Sequence, residues 1–356
     1  MNHSMPNITH IAYVYSGSRK DRLQGQMHVD YPDTPLYGAN HLATMPGIEV
    51  TQLETGDILS SSLVRRLLGF RIMHALTYFL VWRYDIVIGS SLFYPLVLQK
   101  LFRTKTKYVY LNFSLTRFIR SHKSRLMRQF VQWILDGASV IVCPSHFQEE
   151  VLRRELPNYT GRIAVVPLGV DASYYTPQYE GREECILSVG RDNGRDYATV
   201  IETARQLPAR KFVIVCSVRN MVGISDVPSN VTIRYDMPGE ELRELYYRAQ
   251  LMLLITHDDL FGDGSDCSGQ TVLLDAMASG LPVIASRKKY VYEYVREGEE
   301  ALLVDFYRPQ DVEAKIRLLE DAALRSRLAH AARARIENEF STRKMAEGLF
   351  GILKTT

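Results

Sequence analysis

Cysteine is scarce in this sequence, and its spacing excludes two kinds of stabilised fold. The 356 residues include four cysteines, and no two of them form a CxxC pair. Structural zinc sites use such pairs, and small secreted folds use a dense disulfide framework. We therefore expect no structural metal, no disulfide and a reducing compartment.

Long apolar runs are also missing. The longest uncharged apolar stretch, residues 86–99, has 14 residues and contains Gly89 and Pro95. A helix that spans a bilayer needs about 20 apolar residues. The first ten residues are polar and lack the basic and apolar regions of a secretory signal. These absences predict a cytoplasmic protein that does not cross a membrane.

Several catalytic and nucleotide-binding motifs are absent. The sequence has no nucleophile elbow, no P-loop lysine motif and no HExxH. Gly190 and Gly194 are separated by three residues and no GxGxxG occurs, which argues against a nicotinamide-dependent dehydrogenase. No recognisable nucleic-acid module is present, so we expect no nucleic-acid partner. No ligand cluster calls for a metal ion.

Acidic residues are nearly missing from residues 62–130. This region holds thirteen Arg or Lys and one acid, Asp85, so it carries +12 in a chain of net +3. Basic and apolar residues interleave at 61–82 and 117–135, as they do in amphipathic segments that lie on anionic lipid at the inner membrane face. Helices with a buried apolar stripe and a solvated basic face produce the same pattern. The candidate membrane or acceptor surface comprises Arg65, Arg66, Arg71, Arg117, Arg120 and Lys123.

Strand and helix signals alternate along most of the chain. This pattern predicts an α/β protein with two doubly wound, Rossmann-like parallel-sheet domains. The turn-rich residues 169–184 are the predicted linker between domains at 1–168 and 185–340, and we expect a helix at about 341–356 to pack back on the first domain. Ligands of such sheets bind beyond the carboxyl ends of the strands, so a cleft between the domains is the expected site.

The segment 266–286, DCSGQTVLLDAMASGLPVIAS, has the chemistry of an anion site. Apolar residues at helical spacing predict a helix that begins at about Gln270, and the free N–H groups of its first turn favour an anion. Gly269 permits close approach of that anion to the backbone. Asp275 is placed to accept the hydroxyls of a ribose. A helix end capped for stability, with a solvated Asp275, explains the same residues.

A second loop carries two arginines. Arg191 and Arg195 follow the predicted strand 185–189, and arginines at such a strand end bind a diphosphate and neutralise it as a leaving group. Surface ion pairs with Asp192 and Asp196 are the other interpretation. Gly17 follows the first strand and offers backbone to a ligand, although any strand-to-helix turn favours glycine.

These motifs, taken in order, resemble family-four (group 1) retaining nucleotide-sugar glycosyltransferases of the GT-B superfamily. The likeness is strongest over residues 164–340 and includes VVPLGVDASYYTP, SVGRDNGRD, the segment 266–286 and YEYVREGEEALLVDFYRPQDVEAKIRLL. The resemblance implies transfer of a sugar, with retention of configuration, from a UDP- or GDP-sugar to a sugar, lipid or glycan acceptor. It implies no required cofactor and no protein base.

The resemblance also implies roles for residues. Arg191 and Arg195 bind the donor diphosphate, and Asp275 stands where the family has a ribose-binding glutamate. The other donor-binding candidates are Gly17, Met237, Ser268, Gly269, Gln270 and Thr271.

Two positions depart from the family pattern. Cys267 replaces a glutamate that contacts the donor sugar. Either Asp266 takes over, as a candidate catalytic carboxylate beside Arg191 and Arg195, or the SGQT turn contacts the sugar differently. Asn112 stands near the place of a catalytic-site histidine. A catalytically altered nucleotide-sugar-binding paralogue and a GT-B sugar-nucleotide epimerase are therefore alternative functions.

Overall fold

The computed structural model describes residues 8–15, 19, 31–54, 72, 74–121, 124–179, 181–182 and 185–356. The described residues of Asp33–Pro167 and Thr342–Thr356, together with the first strand, form one compact unit. Leu168–Ser341 form the second unit. None of the helices within these residues is both long enough and apolar enough to span a membrane.

The first unit is built on a parallel six-stranded sheet. Its central strands are buried on both faces, which explains their continuous apolar sequences. The strand order is β2-β1-β3-β4-β5-β6. The strands are β1 (Thr9–Tyr15), β2 (Ile48–Glu54), β3 (Ile86–Gly89), β4 (Lys107–Leu111), β5 (Val140–Cys143) and β6 (Ile163–Val165).

Helices connect these strands. The described helices are α1 (Ala39–Leu42), α2 (Tyr78–Val81), α3 (Phe93–Phe102), α4 (Leu115–Ser121), α5 (Arg125–Leu135) and α6 (His146–Glu155). Ser145 caps α6 by accepting a hydrogen bond from the backbone N–H of Gln148 (3.1 Å). A short 3₁₀ helix covers Thr34–Leu36.

The second unit repeats this arrangement. Its parallel sheet has the order β12-β11-β10-β7-β8-β9. The strands are β7 (Cys185–Val189), β8 (Lys211–Cys216), β9 (Val231–Tyr235), β10 (Leu251–Leu254), β11 (Val283–Ser286) and β12 (Ala301–Val304). The helices are α7 (Tyr197–Gln206), α8 (Gly239–Arg248), α9 (Gln270–Ala278), α10 (Val291–Tyr294), α11 (Pro309–Leu318) and α12 (Ala322–Glu339), with a 3₁₀ helix at Val218–Met221.

The last helix, α13 (Thr342–Leu353), belongs to the first unit. The Thr342 hydroxyl donates to a carboxylate oxygen of the buried Asp33 (3.1 Å), and the His41 ring is 3.0 Å from the same carboxylate. A side chain at Gly348 would lie 3.0 Å from Val166, so glycine permits the helix to pack closely there.

The two sheets confirm the predicted fold class. Both are doubly wound. In each sheet the chain starts at an inner strand, β1 or β7, runs outward to one edge, and then returns to build the sheet out to the other edge. The predicted strand at 185–189 coincides with β7, whose continuous apolar run is the pattern of a strand covered on both faces.

The described residues of 168–182 belong to the second unit and are held there by hydrogen bonds as well as by buried side chains such as Val170 and Tyr174. Asp171 accepts from the backbone N–H of Tyr174 (2.9 Å), and the backbone N–H of Leu168 donates to the Tyr294 hydroxyl (2.9 Å). Arg182 donates to five backbone carbonyls at 2.9–3.1 Å. These carbonyls end α8 and α9, so one guanidinium satisfies acceptors that the helices leave open. Burial lowers the pKa of Arg182 to about 10, which leaves the side chain charged at neutral pH.

Replacing Arg182 by Met tests this role. The substitution leaves buried carbonyls without donors, so we expect the free energy of unfolding to fall by about 3 kcal/mol. Urea unfolding monitored by circular dichroism measures the change. Arg317→Met removes an exposed pair with Glu313 in α11, and this control should change stability by about 0.5 kcal/mol or less. Equal losses in the two variants would contradict the assignment.

Candidate functional site

The candidate site lies at the point where the second sheet reverses its strand order. β7 and β10 are hydrogen-bonded neighbours, with Leu251 opposite Ile186. The chain leaves β7 toward β8 on one side and leaves β10 toward β11 on the other. The two loops that follow these strands meet at this reversal of strand order, which is where ligands of doubly wound sheets bind. These loops carry the residues that the sequence singled out.

Close backbone contacts fix the two loops against each other. A Cβ atom at Gly264 would lie 2.7 Å from the Cα of Gly194, so neither position accommodates a larger residue without movement. The Asp192 carboxylate accepts from the backbone N–H groups of Gly194 (2.8 Å) and Ser265 (3.1 Å). Its backbone carbonyl accepts from the Asn220 amide (3.0 Å). Asp192 thus holds three loops together at this edge of the sheet.

Arg195 is buried between these two loops, close to Gly190 of one and Gly269 of the other. Only 4% of its surface is exposed, and its Nη2 donates to the carbonyl of Val189. Its Nε and Nη1 are buried and have no hydrogen-bond partner among the described residues. A buried cation without a partner is costly, and an anionic ligand would remove that cost. The surface ion pairs considered from sequence are not formed, because Asp192 accepts backbone N–H groups and Asp196 caps α7.

The N-terminus of α9 faces the Arg195 guanidinium. Gly269 precedes the helix with φ +91°, in the left-handed region that favours glycine, and no side chain caps this end. A Cβ at Gly269 would lie 2.8 Å from Nη1 of Arg195. The Ser268 hydroxyl is also buried without a hydrogen-bond partner among the described residues. Helix dipole, guanidinium and hydroxyl therefore converge as donors on one region, which is the composition of an anion site.

Arg191 has a different environment from Arg195. Its side chain is 61% exposed and pairs with Asp236 at 2.8 Å. Such an exposed pair contributes little to the stability of the protein, and another anion can readily take the place of the Asp236 carboxylate. The sequence predicted the same role for both arginines, but Arg195 is a buried, preorganised donor and Arg191 is a solvated side chain.

The remaining donor-binding candidates of this unit differ in burial and in their contacts. The Gln270 amide donates to the Tyr294 hydroxyl (2.6 Å) and so supports the interior. Thr271 is exposed in the first turn of α9, and Met237 is half-buried in the loop after β9. Asp266 and Cys267 are both buried, and Cys267 is not part of a disulfide.

Asp275 is enclosed within the second unit. The residue is 7% exposed, and its carboxyl group shares a hydrogen bond with the Tyr175 side chain. Burial raises its pKa to about 8, while the hydrogen bond from Tyr175 opposes the rise. Near neutral pH most molecules therefore hold Asp275 protonated, as a group that both donates and accepts hydrogen bonds. A solvated carboxylate, the other interpretation of the sequence, is wrong.

Two side chains at this edge were not found from the sequence. Lys288 follows β11 and is 4% exposed, with its Nζ 3.2 Å from the Asp258 carbonyl. Tyr290 is fully buried and donates to the carbonyl of Ser268 (2.7 Å), which fixes the residue before the helix. The position of Lys288 two residues after a buried strand was an available signal, because that strand neighbours β10.

Three of the candidate residues in the first unit, Asn112, Arg117 and Arg120, lie within the described residues. Asn112 is 0% exposed and donates to the Thr116 hydroxyl (3.1 Å), so its amide is part of the interior. Arg117 is exposed, and Arg120 pairs with Glu155 (3.3 Å). The candidates Gly17, Arg65, Arg66, Arg71 and Lys123 lie outside the described residues.

The raised pKa of Asp275 predicts a stability difference that depends on pH. The carboxyl loses its proton near its ordinary value of 3.8 in the unfolded chain and at about 8 in the folded protein. The folded state therefore loses stability as pH rises through this window, and the loss is complete above about 8. Asp275→Asn is neutral and does not share this loss. Its stability relative to the wild type should increase by about 1.4 kcal/mol per pH unit between pH 5 and 7 and level off above about 8. A difference that stays constant in urea unfolding from pH 5 to 9 would show that Asp275 is ionised in the folded protein.

The sequence matches two family models. A model described as Glycosyl transferase-like matches residues 193–351, and a model described as Glycosyltransferase Family 4 matches residues 32–174. The two matches do not overlap, and they cover most of both units.

Curated relatives share part of the chain. D-inositol 3-phosphate glycosyltransferase of Corynebacterium urealyticum is 28% identical over 246 residues, which are 58% of this chain and 56% of the relative. The protein of the same name from Acidothermus cellulolyticus is 31% identical over 138 residues, which are 37% of this chain and 27% of the relative. The chain thus matches about half or less of the length of these relatives.

Solved structures share the whole fold. Sucrose-phosphate synthase from Thermosynechococcus elongatus superposes with a TM-score of 0.71 at 18% identity, covering 98% of each chain. Anabaena HepE in complex with UDP and glucose has a TM-score of 0.66 at 15% identity, covering 97% of this chain and 99% of that one. By its family matches and its relatives this chain is similar to group 1, family-four glycosyltransferases, and it has the GT-B fold of these solved structures.

Proposed function

We propose that this protein transfers a sugar from a nucleoside diphosphate sugar to a hydroxyl group of an acceptor, with retention of the anomeric configuration. The observation that carries the proposal is the buried guanidinium of Arg195, whose Nε and Nη1 have no hydrogen-bond partner among the described residues and which lies at the N-terminus of α9. A diphosphate supplies the negative charge and the acceptor oxygens that this arrangement lacks.

The reaction follows from the placement of these donors. Arg195, the Ser268 hydroxyl and the N–H groups of α9 bind the diphosphate and stabilise the charge that develops on it as its bond to the sugar breaks. The acceptor oxygen bonds to the anomeric carbon on the face that the diphosphate leaves, and the acceptor proton passes to a donor phosphate oxygen. This route retains configuration and uses no protein base, in keeping with the buried amide of Asn112.

The remaining residues have supporting roles in the proposal. Arg191 exchanges its exposed pair with Asp236 for the diphosphate when the donor binds. Asp275, as a protonated acid, exchanges its Tyr175 hydrogen bond for a ribose hydroxyl. Asp266 takes over contact with the sugar that Cys267 cannot make, and Met237 and Thr271 border the nucleotide.

The substrates are proposed by similarity. HepE was solved in complex with UDP and glucose, which supports a uridine nucleotide as the first donor to test, with a GDP-sugar as the second. The names of the curated relatives support a phosphorylated cyclitol as one acceptor, beside sugar, lipid and glycan acceptors.

A nucleotide-sugar-binding paralogue without transferase activity is the second candidate function. It is favoured by Cys267, which replaces the carboxylate expected at the sugar, and by the buried Asn112. Such a paralogue binds the donor but releases no nucleoside diphosphate in the presence of any acceptor. An epimerase of the same fold converts the donor without an acceptor.

A substrate panel distinguishes these functions. We expect release of nucleoside diphosphate from a UDP- or GDP-sugar that depends on an acceptor, and a product whose anomeric proton coupling in NMR matches that of the donor. Inversion of the anomeric centre would contradict the retaining mechanism. Donor binding without turnover across the panel would favour the paralogue.

Replacing Arg195 by Met separates its role in binding from its role in folding. Because the guanidinium is a buried cation without a carboxylate partner, its removal should leave the melting temperature of the free protein unchanged or higher. The same change should weaken binding of UDP by about a hundredfold, since charge-assisted bonds to a buried phosphate are lost. Differential scanning fluorimetry and calorimetric titration with UDP measure the two effects.

Arg191→Met is the matched control. Its exposed side chain should contribute about tenfold or less to UDP affinity and little to stability. A strongly destabilised Arg195→Met protein, or one that binds UDP as well as the wild type does, would contradict the proposed anion site.

A further inference from the structure

One face of the first unit exposes large apolar side chains beside basic ones. Phe79 (49% exposed), Trp82 (60%) and Phe102 (60%) lie at the ends of α2 and α3. Leu126 (78%) and Trp133 (40%) lie on α5. Exposed apolar side chains grouped in this way mark a surface that meets another apolar phase.

Contacts connect several of these side chains. The Phe79 and Phe102 rings are 6.1 Å apart, and the Phe130 and Trp133 rings on α5 are 6.0 Å apart. The Lys100 Nζ lies 5.7 Å from the centre of the Trp133 ring, which connects α3 with α5. We call this surface, comprising Phe79, Trp82, Lys100, Leu101, Phe102, Leu126, Phe130 and Trp133, the aromatic face.

A basic pocket opens beside the aromatic face. It has a volume of about 490 Å³ and lies at the amino ends of the first four strands, opposite the edge where ligands of such sheets bind. Its lining includes Trp82 and four cations, which are Arg83, Lys105, Lys107 and Lys354. Within the described part of the chain, none of these four cations forms an ion pair. The Asp85 carboxylate also lines the pocket and accepts from the backbone N–H of His10 (2.8 Å).

We propose that the aromatic face and the basic pocket bind the surface of an anionic phospholipid bilayer. Tryptophan and phenylalanine rings insert at the level of the headgroups, where apolar and polar phases meet. The unpaired cations then lie against lipid phosphates, and the pocket has room for one headgroup. This surface is separate from the candidate donor site, so the proposal does not depend on the proposed function.

Charge selects the bilayer over a second copy of this chain. A two-fold interface formed by this face would place the same cations of both copies close together, and those charges would repel each other. An anionic bilayer complements both features, since it offers negative charge beside an apolar interior. The candidate Arg120 does not belong to this surface, because it pairs with Glu155.

The position of the tryptophans provides a direct test. The chain contains two, Trp82 and Trp133, and both lie on the aromatic face. Vesicles of phosphatidylcholine mixed with phosphatidylglycerol at about 2:1 should shift tryptophan emission of the full chain to shorter wavelength, whereas pure phosphatidylcholine should not. Trp82→Phe and Trp133→Phe each leave one reporter, and both reporters should shift. Emission that is the same with both kinds of vesicle would overturn the proposal.

Charge variants test the basic pocket by co-sedimentation with the same vesicles. Arg83→Gln, Lys105→Gln and Lys107→Gln together should weaken binding by roughly fivefold per charge, about a hundredfold in all. The control changes Lys211, Arg308 and Arg317 to Gln, which are exposed residues of the second unit with the same total charge. If the control variant lost as much vesicle binding, the effect would come from net charge alone, and the assignment of the basic pocket would be overturned. A tryptophan shift that follows protein concentration without lipid would instead identify a second copy as the partner.

Discussion

The candidate site depends on one buried cation, Arg195, that has no counterion among the described residues. Arg195 is held by its own loop, with Nη2 on the carbonyl of Val189, while Nε and Nη1 are left buried without a hydrogen-bond partner among the described residues. Such a group is unfavourable in the folded protein unless something outside the chain compensates it. The surrounding structure maintains it: Asp192 joins the loops, Gly194 and Gly264 permit their contact, and Tyr290 fixes the residue before α9. Stability is thereby given up for preorganisation, which is common at sites that bind charged ligands.

The fold was largely predictable, because its signals are local. Continuous apolar runs such as Val140–Cys143 identify strands covered on both faces, and their alternation with helices selects a doubly wound sheet. The start of α9 was likewise predicted at Gln270, since the glycine before it and the apolar spacing after it both mark that end.

The environments of individual side chains were less predictable. The sequence gives Arg191 and Arg195 the same predicted role, yet Arg191 is exposed and Arg195 is buried. The partner of Arg191, Asp236, lies 45 positions away in the sequence, so a local pattern does not predict the pair. Asp275 was placed in the site by its position on α9, but its raised pKa comes from burial within the second unit, which that position does not reveal. Lys288 and Tyr290 meet the site only through the pairing of β10 and β11. Local patterns do not encode these distant neighbours.

The most direct test of the proposed anion site is a crystal structure of the protein with UDP. We expect diphosphate oxygens within hydrogen-bond distance of Nε and Nη1 of Arg195 and of the Ser268 hydroxyl, at the N-terminus of α9. A diphosphate bound elsewhere, with the Arg195 guanidinium fully hydrogen-bonded to protein groups, would contradict it.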